Sequence, residues 1–153
     1  MPACVFFGTT KDEDISLDMF DTLVAFFRSL IVEDNVKVFY TTAKSDFDFM
    51  CEVAVDILRD RYKDVELVKI AGKNERKHRE FPPYDRIIYF ENNNYMKRCI
   101  YAAHLSDHIL FDKVATNGLL DRFFLIIGLS KRMNKEECAF NSLKGLMGIQ
   151  EDL

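Results

Sequence analysis

Apolar residues fall along this chain in short continuous runs, separated by stretches in which they recur at helical spacing. Ala3 to Phe7 (ACVFF) is such a run, ended by Gly8, and reads as a buried strand. From Leu17 the positions Leu17, Phe20, Val24, Phe27 and Ile31 keep the 3.6-residue period of a helix. Met19, Leu23, Phe26 and Leu30 lie beside them, so this first helix has a broad apolar face, with Asp14 or Ser16 available as its N-cap. Glu33, Asp34 and Asn35 break the period, and Val36 to Tyr40 is the second strand. After a small polar turn, Ser45 and Asp48 stand at capping-box spacing ahead of Phe47, Met50, Cys51, Ala54, Ile57 and Leu58, which define a second helix. Asp46 and Asp48 open it and Arg59, Arg61 and Lys63 close it, the arrangement that a helix dipole favours.

Val65 to Ile70 (VELVKI) predicts strand three. The charged segment Ala71 to Glu80 then runs into Phe81-Pro82-Pro83, which continues neither a helix nor a central strand, so the third crossover helix is missing and the longest loop lies here. Arg86 to Phe90 is strand four, Asn92 to Asn94 a turn able to cap the helix Tyr95 to Leu105, and His108 to Phe111 strand five. Asn117-Gly118 marks another turn, Phe123 to Gly128 (FFLIIG) reads as a sixth strand, and a last helix is expected from about Asn134, with Leu143, Leu146 and Met147 on its apolar side. Strands alternating with helices imply an α/β, three-layer α/β/α sandwich around a mainly parallel sheet of five to six strands, one domain over residues 1–153. Ligands of such sheets bind beyond the carboxyl ends of the strands. That places the expected site among Gly8 to Lys11, Thr41 to Asp46, the loop after Ile70, Glu91 to Tyr95 and the loop after Phe111.

Composition narrows the function classes. A chain of 153 residues with 48% hydrophobic and 30% charged residues buries a real core. Its net charge of -4 argues against general nucleic-acid binding. The apolar runs are too short to cross a bilayer and the N-terminus lacks the basic start of a signal peptide, so a cytoplasmic protein is expected; a homo-oligomer stays open as a partner, and the sequence does not fix the oligomeric state. Cys4, Cys51, Cys99 and Cys138 are widely spaced with no C-x-x-C pair, and read as buried thiols. His104 and His108 have i, i+4 spacing, but Ser106-Asp107 reads as a turn between them; no metal and no cofactor is expected. Lys44-Ser45 lacks the glycines of a P-loop.

The order of these features resembles the SLOG superfamily, the Rossmann-like fold of DprA and LOG proteins, and most closely its small YpsA-like members. The resemblance runs from Cys4 to about Asp112. Gly8 stands where the family's first strand ends in Gly, Thr41-Thr42-Ala43 replaces its Gly-Gly-Ala turn, and Asp46 and Glu52 fall at its acidic positions. Tyr95, Arg98 and Ser106-Asp107 match its later Tyr, Arg and Ser-Asp. The LOG signature P-G-G-x-G-T-x-x-E, which carries phosphoribohydrolase activity, is absent, so the resemblance implies the fold and a nucleotide site but not the enzyme.

Three functions follow as expectations. The first is binding of a nucleotide or nucleotide-derived ligand, a signal sensor, through Gly8, Thr9, Thr41, Thr42, Asp46, Tyr95 and Arg98. The second is a non-catalytic structural or protein-interaction module that has lost that site. The third is a nucleoside monophosphate N-glycosidic hydrolase, with Glu52 or Asp46 stabilising positive charge on the sugar. Asp46 and Glu52, six residues apart, do not share a helix face closely. The run Lys69, Lys73, Arg76, Lys77, His78 and Arg79 is either a phosphate-clamping lid or a solvated loop.

Overall fold

The computed structural model describes residues 2–8, 11–91, 93–112 and 139–148. Its strands are β1 (Ala3–Phe7), β2 (Val38–Thr41), β3 (Glu66–Gly72), β4 (Arg86–Phe90), β5 (His108–Phe111) and β6 (Ala139–Ser142). The α-helices are α1 (Leu17–Glu33), α2 (Asp46–Arg61), α3 (Tyr95–His104) and the single turn α4 (Leu143–Leu146). All strand pairs are parallel, in the order β4-β3-β2-β1-β5-β6. The fold is thus of the expected α/β type, with six parallel strands among the described residues.

Period-two alternation in β1 divides the core. Cys4 and Phe6 face α1 and α2 together with Phe27, Phe39 and Phe47, whereas Ala3, Val5 and Phe7 face α3 with Tyr40, Ile70 and Ala102. Phe27 binds the first layer by ring contact with Phe6 at 5.7 Å and with Phe39 at 5.2 Å. Burying a side chain of this kind stabilises by about 1.5–3 kcal/mol.

The helices begin where the sequence supplies caps. Ser16 accepts from Met19 N–H, Asn94 from Lys97 N–H, and Ser45 and Asp48 form the reciprocal capping box of α2. Asn35 ends α1 in the left-handed region at φ 56°, where Asn is tolerated better than most residues, and Val36 N–H then reaches the Leu30 carbonyl.

Two differences from the sequence reading concern the C-terminal part and β3. Residues 139–142 are the edge strand β6 rather than part of a long helix, and Leu143 packs into the α1–α2 core from α4. Four residues carry too little periodicity to distinguish strand from helix, and pairing with β5 decides. The segments Phe123 to Gly128 and Asn134 to Cys138 lie outside the described residues. Strand β3 also runs on to Gly72, two residues beyond the expected end, with Lys69 inside it as the Val65 to Ile70 reading has it.

No helix connects β3 to β4; the strap 73–85 does so instead. Lys69 would project into the layer that such a helix would fill, since its neighbours Val68 and Ile70 face α3. Among the described residues no helix is long and apolar enough to cross a membrane.

Candidate functional site

A crevice of about 460 Å³ opens at the carboxyl ends of β2 and β3. Thr42, Ala43 and Lys44 line it from the turn after β2, Gly72, Asn74 and Glu75 from the end of β3, and Asn93 and Arg98 from the start of α3. Gly72 is needed for its shape: a Cβ there would stand 2.8 Å from Asn93 Oδ1, the acceptor for Asn74 N–H.

The turn that forms one wall is held from within. Ala43 has φ 53°, a left-handed conformation that costs a non-glycine residue on the order of 1 kcal/mol. Its N–H donates to Thr41 Oγ1 at 3.0 Å. The next two amides, Lys44 and Ser45, both donate to Asp48 Oδ2, at 3.0 and 3.2 Å. Asp48 therefore occupies, with its own carboxylate, amides that a Gly-rich turn would offer to a phosphate. Asp48 is fully buried and its Oδ1 has no partner. Burial pushes its pKa up to about 7, against the opposing pull of the Lys44 and Ser45 amides and with a contribution from Glu52.

Polar capacity is left over on the crevice wall. Thr42 is 2% exposed, and its Oγ1 makes no hydrogen bond of normal geometry, although the Thr42 side chain interacts with the Tyr95 hydroxyl and pulls against the rise of its pKa. Arg98 directs Nη1 toward the Ile70 carbonyl at 3.4 Å and Glu75 at 3.6 Å, while its buried Nε has no partner. Tyr95 gathers both cations, with Lys44 Nζ 4.3 Å and Arg98 Cζ 5.7 Å from its ring centroid. Burial raises the pKa of the Tyr95 hydroxyl, so it stays protonated, a neutral donor.

Glu75 is the carboxylate of the crevice. Lys69 Nζ donates to one of its oxygens at 2.9 Å and Gly72 N–H to the other at 3.1 Å. Against a desolvation that raises its pKa, those two bonds and the charges of Lys69 and Arg98 hold it below the usual carboxylate range. Lys69, 2% exposed, also meets His78 Nδ1 at 3.0 Å, and His78 Nε2 lies 2.9 Å from the Tyr89 hydroxyl. A charged Lys69 leaves Nδ1 as acceptor and Nε2–H as donor.

The expected residues thus separate. Thr42 and Arg98 line the crevice and Tyr95 lies beside it. Gly8 is a packing residue: a Cβ would stand 2.5 Å from Phe47 Cδ1 and 2.6 Å from Asp112 Cβ. Thr41 faces inward to Glu52, and Asp46 is exposed at the start of α2, outside the crevice lining. Thr9 lies outside the described residues.

Glu52 does not face the crevice either. It is fully buried and accepts from Thr41 Oγ1 at 3.0 Å, Arg79 Nη1 at 3.0 Å and Tyr84 OH at 2.7 Å. Burial raises its pKa, partly offset by Tyr84, Arg79 and Thr41. Its place is that of a hub pinning the strap to α2 and to the turn, with Arg79 also over the Phe49 ring at 5.0 Å. Of the basic run, Lys73, Arg76 and Lys77 are exposed, whereas Lys69, His78 and Arg79 are bound into the fold.

Lys44 and Glu75 fall within the segments expected to form the site but are not among the residues singled out for it, and Asp48 is read only as a helix cap. The signal for Asp48 was present: Asp48 and Glu52 stand at i, i+4 on the same stripe of α2 as Cys51, Val55 and Leu58, where acidic side chains need internal partners.

No protein-family model matches the chain, and no curated protein matches it. Among solved structures, the X-ray structure of TM1055, a structural-genomics target, resembles it with a TM-score of 0.56 at 11% sequence identity, over 85% of this chain and 69% of that one. The likeness is one of architecture, and the fold of this chain is Rossmann-like.

Proposed function

We propose that the chain is a cytosolic, SLOG-type binder of a nucleotide or nucleotide-derived ligand, a sensor rather than an enzyme, with its site in the crevice beyond β2 and β3. The observation that carries this reading is a pair of buried polar atoms without a hydrogen bond of normal geometry, Thr42 Oγ1 and Arg98 Nε, in two residues that line the crevice. A buried polar group without a partner costs about 1–3 kcal/mol, and a phosphate or other oxyanion accepting from both recovers that cost. Arg98 supplies the charge, Lys44 a second cation, and the Tyr95 ring an apolar surface for a base. The agreement of Tyr95 and Arg98 with the SLOG pattern supports the same site.

A second reading has its own support. The amides of Ala43, Lys44 and Ser45 are satisfied by Thr41 and Asp48, as in a domain that has given up its phosphate cradle and kept the fold for protein interaction. A thermal-shift screen of nucleotides separates the two. Stabilisation by a member of the panel, lost in Arg98→Ala, is the outcome expected of the binder; a flat response across the panel favours the interaction module.

A further inference from the structure

Resting on the binding reading above, we propose that Glu75 is a built-in competitor for the crevice: its carboxylate takes the place of a ligand anion beside Arg98, and binding requires its displacement. The crevice is lined by Lys44 from the turn after β2, Arg98 from α3 and this carboxylate from the segment after β3. Glu75 Oε2 is 3.6 Å from Arg98 Nη1, inside ion-pairing range but longer than a charge-assisted hydrogen bond. Arg98 is therefore neutralised without being saturated, and its Nε has no partner. An incoming oxyanion meets Glu75 as a like charge and competes with it for the same guanidinium.

The geometry also shows where Glu75 goes and what goes with it. Its other oxygen is held by Lys69, itself buried under the strap and in contact with His78. When Glu75 leaves Arg98, Lys69 keeps it paired through the other oxygen, so displacement costs the longer of its two ion pairs and the Gly72 N–H bond to the same oxygen, Oε2. Because Lys69 also contacts His78, and Arg79 next to His78 is pinned to Glu52, ligand arrival is transmitted to the strap rather than confined to the crevice.

The consequence is a gain of affinity on removing a charge from the site. Titration of the full chain with adenosine 5′-monophosphate and with inorganic phosphate, for wild type, Glu75→Gln, Glu75→Ala and Arg98→Ala, tests it, with circular dichroism confirming the fold of each. Glu75→Gln and Glu75→Ala are expected to bind at least one probe about three- to fivefold more tightly than wild type, the size of a partly exposed ion pair. Binding that is unchanged or weaker in both variants, while Arg98→Ala still loses it, overturns the competitor and leaves the binding reading standing. No binding of either probe to any protein overturns the competitor, and a flat response across the nucleotide panel overturns the binding reading with it. Loss of the fold in both Glu75 variants makes Glu75 a structural residue and overturns the competitor alone.

Discussion

The buried carboxylate of Glu52 accepts the Tyr84 hydroxyl at 2.7 Å, joining α2 to the far end of the strap that stands in for a crossover helix. Thr41 and Arg79 converge on the same carboxylate, so one side chain holds the turn, the helix and the strap together. Glu52→Ala leaves three donors without their acceptor and is expected to cost about 2–3 kcal/mol, reduced somewhat because Arg79 reaches solvent. Glu52→Gln keeps an acceptor and should cost less. Urea unfolding measures both; equal small losses in the two variants would show that the strap is held by other contacts.

Gly8 should be intolerant of any side chain for reasons unconnected with a ligand. Gly8→Ala brings a methyl group within 2.5 Å of the Phe47 ring and 2.6 Å of Asp112 Cβ, overpacking that typically costs about 1–3 kcal/mol. The loss should be the same with and without nucleotide. A variant as stable as wild type but deficient in binding would instead make Gly8 a ligand contact.

Asp48 gives the chain a pH dependence of definite sign. Its folded pKa is raised to about 7, so between the ordinary aspartate range and about pH 7 the folded state keeps a proton that the unfolded state has lost. The Asp48 contribution therefore favours folding at the acid end and fades as pH rises toward 7. The difference in unfolding free energy between wild type and Asp48→Asn should fall over that window and level off above it, and denaturant titrations at several pH values supply it. A difference that grows with pH would mean that the Lys44 and Ser45 amides outweigh burial.

Thr42→Val is expected to separate stability from binding. The Thr42 hydroxyl is buried without a hydrogen bond of normal geometry, so replacing it with a methyl group of similar shape should leave the melting temperature unchanged or slightly raised. On the binding reading ligand affinity should nevertheless drop, because a donor in a residue that lines the crevice is gone. A clear fall in melting temperature of the free protein would assign that hydroxyl a structural bond.

Much of the fold was legible because its elements announce themselves locally. The Val36 to Val55 stretch showed strand, turn and capped helix in order, and Phe81-Pro82-Pro83 ruled out a helix before β4. The site was less legible, since its parts are joined by contacts that no periodicity records. Lys69 stands in the third strand and at the head of the basic run, and neither shows that it is buried there by partners six and nine residues onward, Glu75 and His78. Asp46 and Glu52 were compared as a pair, whereas the pair that shares a face is Asp48 and Glu52, which reads the α2 stripe correctly as a polar seam within the core. Thr41-Thr42 did signal the decisive change in the turn: without the two glycines, its backbone is closed by side chains of this chain, and the cations lining the crevice are Arg98 and Lys44.

The central claim is that Arg98 in the crevice holds the anionic group of a nucleotide. Calorimetric titration of wild type and Arg98→Ala with the most stabilising nucleotide of the thermal-shift panel tests it most directly. Saturable binding to wild type at one site per chain, abolished in a folded Arg98→Ala, is the predicted result. Equal affinity in the two proteins, or no heat of binding to wild type from any nucleotide of the panel, contradicts it.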